Sequence, residues 1–255
     1  MRADMLALYV HIPICLKKCA YCDFCSYPNL SPRQRADYID ALILELDGYK
    51  REPRLTLDTL FFGGGTPSLL EPDEFNKLAQ KIREVFDTSA LSEFTLEANP
   101  KTLTREKLLA YREGGVNRIS IGLQSIHEKE LKNLGRIHSY NDFLESYKLV
   151  REVGIENVNV DIMYSIPDQT LESFLKTVDC VISLSPEHIS AYSLILEEGT
   201  PLYMARDSLC LPSVESECRM YDALCERMAS AGYVHYEISN YAKPSRECRH
   251  NLVYW

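Results

Sequence analysis

The sequence predicts a parallel α/β fold, on three observations. Short β-branched runs alternate with longer amphipathic ones, and strand is followed by helix six times over. Glycine or polar residues punctuate the chain just after the strand-like runs. The length, 255 residues of which 45% are hydrophobic, is enough to bury a sizeable core. Repeated strand-then-helix order requires parallel strands joined by right-handed crossovers. A doubly wound sheet and a barrel both satisfy it.

The elements can be taken in order. Residues 6–12 (LALYVHI) read as a first strand, leading into a cysteine-rich loop. Residues 32–49 have helical spacing, with Ser31 as N-cap before Pro32. Residues 56–62 form a second strand, ended by Gly63, Gly64 and Gly65. Residues 72–86 are helical. Residues 93–97 are a third strand, ended by Asn99 and Pro100. Residues 104–114 are a helix with glycine at its C-terminal side. Strands over 118–122 and 157–163 flank a helix over 140–154. A helix over 171–183 and a strand over 188–196 follow. A long amphipathic helix over 213–231 and one more strand over 233–238 complete the reading. No low-complexity segment or longer repeat is present. In parallel α/β folds the site forms at the C-terminal edge of the strands. The cysteine loop, the glycine run, Glu97 to Asn99, Gln124 and Asp161 would therefore converge on one rim.

Charge and cysteine usage narrow the function. The formal net charge is −9, which argues against a nucleic-acid partner. Nine cysteines, an odd number, include four between Cys15 and Cys25. One tight cluster among scattered thiols reads as a metal site in a reducing compartment, not as a disulfide framework. No secretory signal or transmembrane-length apolar run is visible, so the expected location is the cytoplasm.

Cys15, Cys19 and Cys22 are spaced C-x3-C-x2-C. Three thiolates within eight residues can fold round one face of a 4Fe–4S cubane and leave its fourth iron open. Zinc is the alternative: Cys22 and Cys25 form a C-x2-C pair, although structural zinc usually takes two well-separated pairs. The iron–sulfur reading is favoured, with Cys25 outside the cluster.

The cysteine motif after YVHIP resembles the radical-SAM superfamily, in which a reduced cluster cleaves S-adenosylmethionine to a 5′-deoxyadenosyl radical. The resemblance runs along nearly the whole chain. YVHIPICLKKCAYCDF, FFGGGTPS, LEANP, GVNRISIGLQS, LGRIH, NVNVDIMYSIP, YEISNYA and HNLVYW are similar to the branch holding oxygen-independent coproporphyrinogen III oxidase and its haem-chaperone relative. It implies a partial (β/α)6 TIM-like barrel over residues 1–199. Residues 200–255 would be an appended helix and strand. Relatives continue into a further C-terminal domain, so that region is expected to be truncated here.

The same resemblance implies an S-adenosylmethionine site at Tyr9, Gly64, Gly65, Thr66, Glu97, Gln124, Arg136 and Asp161. Each fits chemically. Glycine permits close backbone approach and offers free backbone groups. Glu97 could pair the ligand's ammonium or hold its ribose, or form an ordinary rim salt bridge. Arg136 suits a carboxylate, in a bidentate pair. Asp161 lies in an apolar run, where a carboxylate needs a partner or ligand. Tyr9 could equally be a core aromatic. The sequence departs from relatives at Ser165–Ile166–Pro167–Asp168, where they carry Gly-Leu-Pro-Gly, which puts the backbone shape of that turn in question.

Two functions compete within the branch. The oxidase carries a C-x-C where this chain has Phe24 after Asp23, and CDF is what the chaperone branch shows. The ending His250, Asn251, Tyr254 and Trp255 matches the HNxxYW motif of the chaperones. Histidine can ligate haem iron and aromatics can stack on a macrocycle. The expected function is a cluster- and S-adenosylmethionine-binding haem chaperone that delivers haem to apoproteins. The alternative is oxidative decarboxylation of coproporphyrinogen III by a 5′-deoxyadenosyl radical. The implied partners are haem, haem-accepting apoproteins and a low-potential electron donor of flavodoxin or ferredoxin type.

Overall fold

The structure, a computed structural model, describes residues 6–254. Its main sheet contains six parallel strands: β1 (Leu6–Ile12), β2 (Leu57–Gly64), β3 (Glu93–Ala98), β4 (Arg118–Gln124), β5 (Asn157–Tyr164) and β6 (His188–Ser193). They lie side by side in chain order. The register runs Leu8 beside Leu60, Phe62 beside Leu96, Ile121 beside Val160 and Val160 beside Ile189. The sheet curves, since one cavity touches residues at or just beyond the ends of all six strands.

Helices α1 (Pro32–Asp47), α2 (Pro72–Val85), α3 (Arg105–Glu113), α5 (Tyr140–Glu152) and α6 (Leu171–Leu184) make the crossovers. A six-residue helix, α4 (Glu128–Asn133), was not foreseen. The helix starts follow local chemistry. Ser31 with Gln34, Ser139 with Asp142 and Thr170 with Ser173 form reciprocal capping boxes that satisfy orphan N–H groups. On α2, Phe75, Leu78, Ala79, Ile82 and Val85 recur at helical spacing and form its buried face.

The strands alternate, with an unusual result. Phe94 and Leu96, Ile119 and Ile121, and Val158, Val160 and Ile162 belong to the hydrophobic core. The intervening positions are polar, yet most are also buried: Glu93, Thr95, Arg118, Ser120, Asn159, His188 and Ser190. A strand whose neighbours point to opposite faces thus has an apolar side and a polar interior side. Asp161, the one carboxylate flagged within an apolar run, belongs to that polar series.

After Gly199 the chain completes the same sheet. A short helix α7 (Pro201–Met204) precedes α8 (Val214–Ser230), which buries Met220, Leu224 and Met228. Two strands follow, where one was expected: β7 (Val234–Glu237) and β8 (Asn240–Ala242). β8 pairs antiparallel with β6, and β7 lies outside it. Three residues are too few to show a period, which is why β8 escaped sequence reasoning. The tail then crosses the N-terminal ends of the strands. Glu93 accepts hydrogen bonds there from Cys248 Sγ (3.3 Å), Arg249 N (3.0 Å) and His250 N (3.1 Å).

Candidate functional site

The loop after β1 is pinned at several points. Ile14–Cys15 pairs in parallel with Tyr27–Pro28, and Tyr27 N donates to Pro13 O at 2.7 Å. Ala20 N donates to Leu134 O at 2.9 Å, which ties the loop to the segment after α4. Within it, Cys22 N donates to Cys19 O, a turn that brings the second and third cysteines together. Cys15, Cys19 and Cys22 are half-buried, are not disulfide-bonded, and line a cavity of about 340 Å³. That volume is in the range of small-molecule sites. Cys25 does not line it; its thiol is 3.7 Å from the Tyr27 hydroxyl. Among the described residues no three His, Cys, Asp or Glu side chains are grouped to hold a single metal ion.

The cavity also receives Gly64, Gly65, Thr66, Glu97, Gln124, Arg136 and Asp161. Seven of the eight positions expected for S-adenosylmethionine therefore meet the three cysteines. Tyr9 does not line the cavity. It is 44% exposed, its hydroxyl is 3.0 Å from His11 Nδ1, and its ring stacks on Phe61. It still belongs to the neighbourhood, because a Cβ on Gly63 would lie 2.8 Å from its ring and 3.2 Å from Glu97 Oε2.

The glycines act differently from the expectation. Gly64 N donates to Glu97 Oε2 (3.1 Å) and Gly65 N donates to Ile12 O (2.8 Å). Both N–H groups are occupied within the protein, so they are not the free donors expected. What glycine supplies is room: a Cβ on Gly65 would sit 2.7 Å from Ile14 O, and Gly64 has φ +112°.

Glu97 takes part in none of the ion pairs formed among the described residues. Burial, and next the negative charge of Asp161, push its pKa up to about 8. Asp161 is likewise raised by burial, opposed by hydrogen bonds from Asn159 and Ser120 (2.7 and 3.0 Å). Two carboxyl groups with too few cationic partners suit a ligand bearing positive charge. Gln124 reaches the cavity from a register shift at the end of β4, with φ 70°. A non-glycine residue held there is locally strained.

Arg136 is half-buried and sits at the centre of the polar contacts. Its Nη1 donates to Cys19 Sγ (3.5 Å), and its Nη2 to Asn99 Oδ1 (2.6 Å) and Gly122 O (2.7 Å). Both Nη2 hydrogens are thereby used, so the end-on fork is not open to a carboxylate as first expected. Its Nε has no partner. Asn99 Nδ2 donates to Thr66 Oγ1 (2.9 Å), and Thr66 Oγ1 lies 3.7 Å from Cys15 Sγ. The donor set fits an anionic iron–sulfur group: three thiols on one rim, with a guanidinium at one and a hydroxyl at another. Asn99, expected at the rim but given no binding role, also lines the cavity, as do Tyr21, Ser120 and Tyr192, which had not been singled out. Of these only Asn99 carried a signal, as the polar residue before a proline at a strand end.

The tail candidates lie elsewhere. His250 is 3% exposed, with Nδ1 2.9 Å from Thr59 Oγ1 and its ring 5.1 Å from that of Phe61. Its Nε2 has no partner. Asn251 and Tyr254 bound a short helical turn, and the Tyr254 ring stands edge-on to His250 at 6.0 Å. Trp255 lies outside the described residues.

The chain is similar to known proteins in sequence and in fold. Residues 9–181 match the model of the radical SAM superfamily. The curated heme chaperone HemW of Bacillus subtilis is 40% identical over 255 residues, covering 98% of this chain and 67% of the relative. The heme chaperone HemW of Escherichia coli is 39% identical, covering 98% of this chain and 66% of the relative. The chain thus spans about two thirds of the length of these relatives. Among solved structures, coproporphyrinogen III oxidase (HemN) from Escherichia coli, described as a radical SAM enzyme, superposes with TM-score 0.85 at 27% identity. That match covers 96% of this chain and 57% of the other.

Proposed function

The chain belongs to the radical SAM superfamily, and within it to the heme chaperone HemW family; on that premise we propose that it binds a 4Fe–4S cluster, S-adenosylmethionine and haem, and delivers haem to apoproteins. The observation that carries the cofactor reading is the single cavity shared by the three cysteines and seven further expected residues, six at strand ends and Arg136 just after α4. Cys15, Cys19 and Cys22 hold the cluster. Around S-adenosylmethionine, Thr66, Glu97, Gln124 and Asp161 offer polar side chains, Gly64 and Gly65 give room, Arg136 keeps one unpartnered Nε, and Tyr9 lies beside Gly63 at the edge of the site. When bound by these three thiolates, such a cluster would supply an electron to the sulfonium of that ligand.

The chain's own residues have separable roles. Glu97, whose carboxyl is pushed up to about 8, is neutral near pH 7 without a ligand and ionises when an ammonium arrives. Asp161 is oriented by Ser120 and Asn159 for a second polar contact. The glycines keep that strand end free of side chains. No helix among the described residues is long and apolar enough to cross a membrane. Unpaired thiols and an oxygen-sensitive site fit a reducing cytoplasm, and a low-potential flavodoxin- or ferredoxin-type protein would supply the electron.

Haem binding through His250 has its own support. Nδ1 is held by Thr59 while Nε2 is free of hydrogen bonds, the pattern of an imidazole oriented for a metal. At 3% exposure the ring is covered, so haem iron reaches Nε2 only after the tail moves. Haem titration followed by optical absorption tests this. A stoichiometric Soret shift that is lost in His250→Ala is expected. No shift at stoichiometric haem overturns the chaperone reading. The likeness to the oxidase structure favours a second reading, decarboxylation of coproporphyrinogen III. Phe24, where the oxidase has its further cysteine, argues against it, and porphyrin product in an anaerobic assay would establish it.

A further inference from the structure

We propose that Asn99 is a positioning residue for the iron–sulfur site: it aligns one hydrogen-bond donor on each of two cluster thiolates, Cys15 and Cys19. The inference rests on the cluster reading above and assigns a role to a residue outside the expected binding set.

The backbone of Asn99 is fixed from three sides. Pro100 follows, which confines it to extended conformations. Its N–H donates to Ser68 Oγ (3.4 Å), and its carbonyl accepts from Thr102 N (3.2 Å) and Thr102 Oγ1 (2.7 Å). The side chain then has one orientation open to it. Arg136 is a donor only, so the amide atom 2.6 Å from Nη2 has to be the oxygen. Nδ2 consequently faces Thr66 Oγ1 at 2.9 Å and donates to it. That contact occupies an acceptor position on the Thr66 hydroxyl, whose own hydrogen is free to turn to Cys15 Sγ at 3.7 Å. On its other side, Asn99 Oδ1 and Gly122 O together hold Nη2, which leaves Nη1 directed at Cys19 Sγ. One amide therefore sets the direction of two donor chains, each ending on a cysteine sulfur.

Hydrogen bonds to cluster sulfurs, together with net charge and exposure, set the reduction potential of an iron–sulfur centre. A donor stabilises negative charge on sulfur, and the reduced cluster carries more of it. Removing the aligned donors should make the cluster harder to reduce.

The test is a redox titration of the full chain after anaerobic reconstitution, followed by electron paramagnetic resonance, with iron and sulfide analysis. Asn99→Leu removes both polar ends at similar volume. It is expected to retain the cluster and to titrate at a more negative potential. A tenfold loss in the reduced-to-oxidised ratio at fixed potential corresponds to about 59 mV for one electron. Thr66→Val should give part of that shift, and Thr66→Ser should restore the wild-type value. The double variant Asn99→Leu/Thr66→Val should shift no further than Asn99→Leu alone, because Thr66 acts downstream of Asn99 in the same donor chain. An unchanged potential in Asn99→Leu overturns the proposal, as do fully additive shifts. Should Asn99→Leu fail to hold a cluster, Asn99→Ala is titrated in its place under the same criteria. A wild-type chain that takes up no iron and sulfide overturns the cluster reading itself, before any variant is compared.

Discussion

At the C-terminal ends of the strands, Glu97 accepts one hydrogen bond, from Gly64 N, and faces a cavity beside a second carboxyl. At the N-terminal ends of the same strands, four residues earlier on β3, Glu93 accepts from Cys248 Sγ, Arg249 N, His250 N and Thr95 Oγ1. Glu93 is also among the negative charges acting on the buried Arg118. Two glutamates on one face of one strand thus have opposite surroundings. A buried carboxylate supplied with several donors is a structural fastener. One supplied with a single donor avoids the cost of a buried charge by holding a proton, until a ligand of opposite charge offsets it. The floor of the barrel is closed by its own chain, and the rim is left for something else.

The largest expected effect breaks the floor. Glu93→Ala leaves two backbone N–H groups and a thiol without their acceptor, and removes a charge facing Arg118. Breaking one side of such a buried charged network costs about 3–5 kcal/mol. Denaturant unfolding of the cofactor-free chain measures it. A loss under about 1 kcal/mol would mean that the tail is not fastened there. The same variant should take up haem faster than wild type if tail movement limits access to His250.

The rim should respond with the opposite sign. In Glu97→Gln the Gly64 N–H keeps an oxygen acceptor, while the raised carboxyl is gone. In the wild type this group titrates near 4.5 unfolded and near 8 folded. Between those values the folded state binds the extra proton, so stability falls as pH rises from about 4.5 to about 8 and is level beyond. Glu97→Gln removes that slope. It should match wild type below pH 4 and exceed it at pH 9, on the order of 2 kcal/mol, since the cavity gives part of the carboxyl access to water. Thermal unfolding of both proteins at pH 4 and pH 9 checks this. A gain of the same size at both pH values would refute the titration argument.

How much of each region could be read in the sequence follows from the range of the interactions. The strand and helix order was legible because caps, prolines and terminal glycines act over three or four residues. Most predicted bounds differ from those found by one to three positions, where glycines extend β2 or Gln124 ends β4 in a left-handed conformation. The cysteine spacing is also local, and it led directly to the rim. The polar inner face was half-hidden: Asp161 stood out in its run, but Arg118 and Glu93 looked like ordinary ends of strands. The partner that holds His250 was not legible, since Thr59 is 191 positions away. The use of the Gly64 and Gly65 N–H groups, and the committed Nη2 of Arg136, depend likewise on which strands meet. A motif can show which residue types gather, but not which of their hydrogen bonds are already made.

The smallest expected effect concerns strain at the rim. Ser165 and Asp168 stand where relatives carry glycine, and the structure retains the turn by holding both in left-handed conformations, φ 60° and 65°. Asp168 has compensation, through an ion pair with Lys129 (3.1 Å). Ser165 has none: it is 5% exposed and its hydroxyl has no hydrogen-bond partner. Ser165→Gly relieves left-handed strain of roughly 1–2 kcal/mol and removes a buried unsatisfied hydroxyl. Against this, glycine adds about 0.5–1 kcal/mol of unfolded-state freedom. The net expectation is a gain of about 1 kcal/mol in denaturant unfolding, without change in the slope of the transition. Asp168→Gly should gain less, because the ion pair is lost with the strain. If Ser165→Gly instead destabilises the chain, the serine hydroxyl has a partner in solution, and the rim is better satisfied than its contrast with the floor implies.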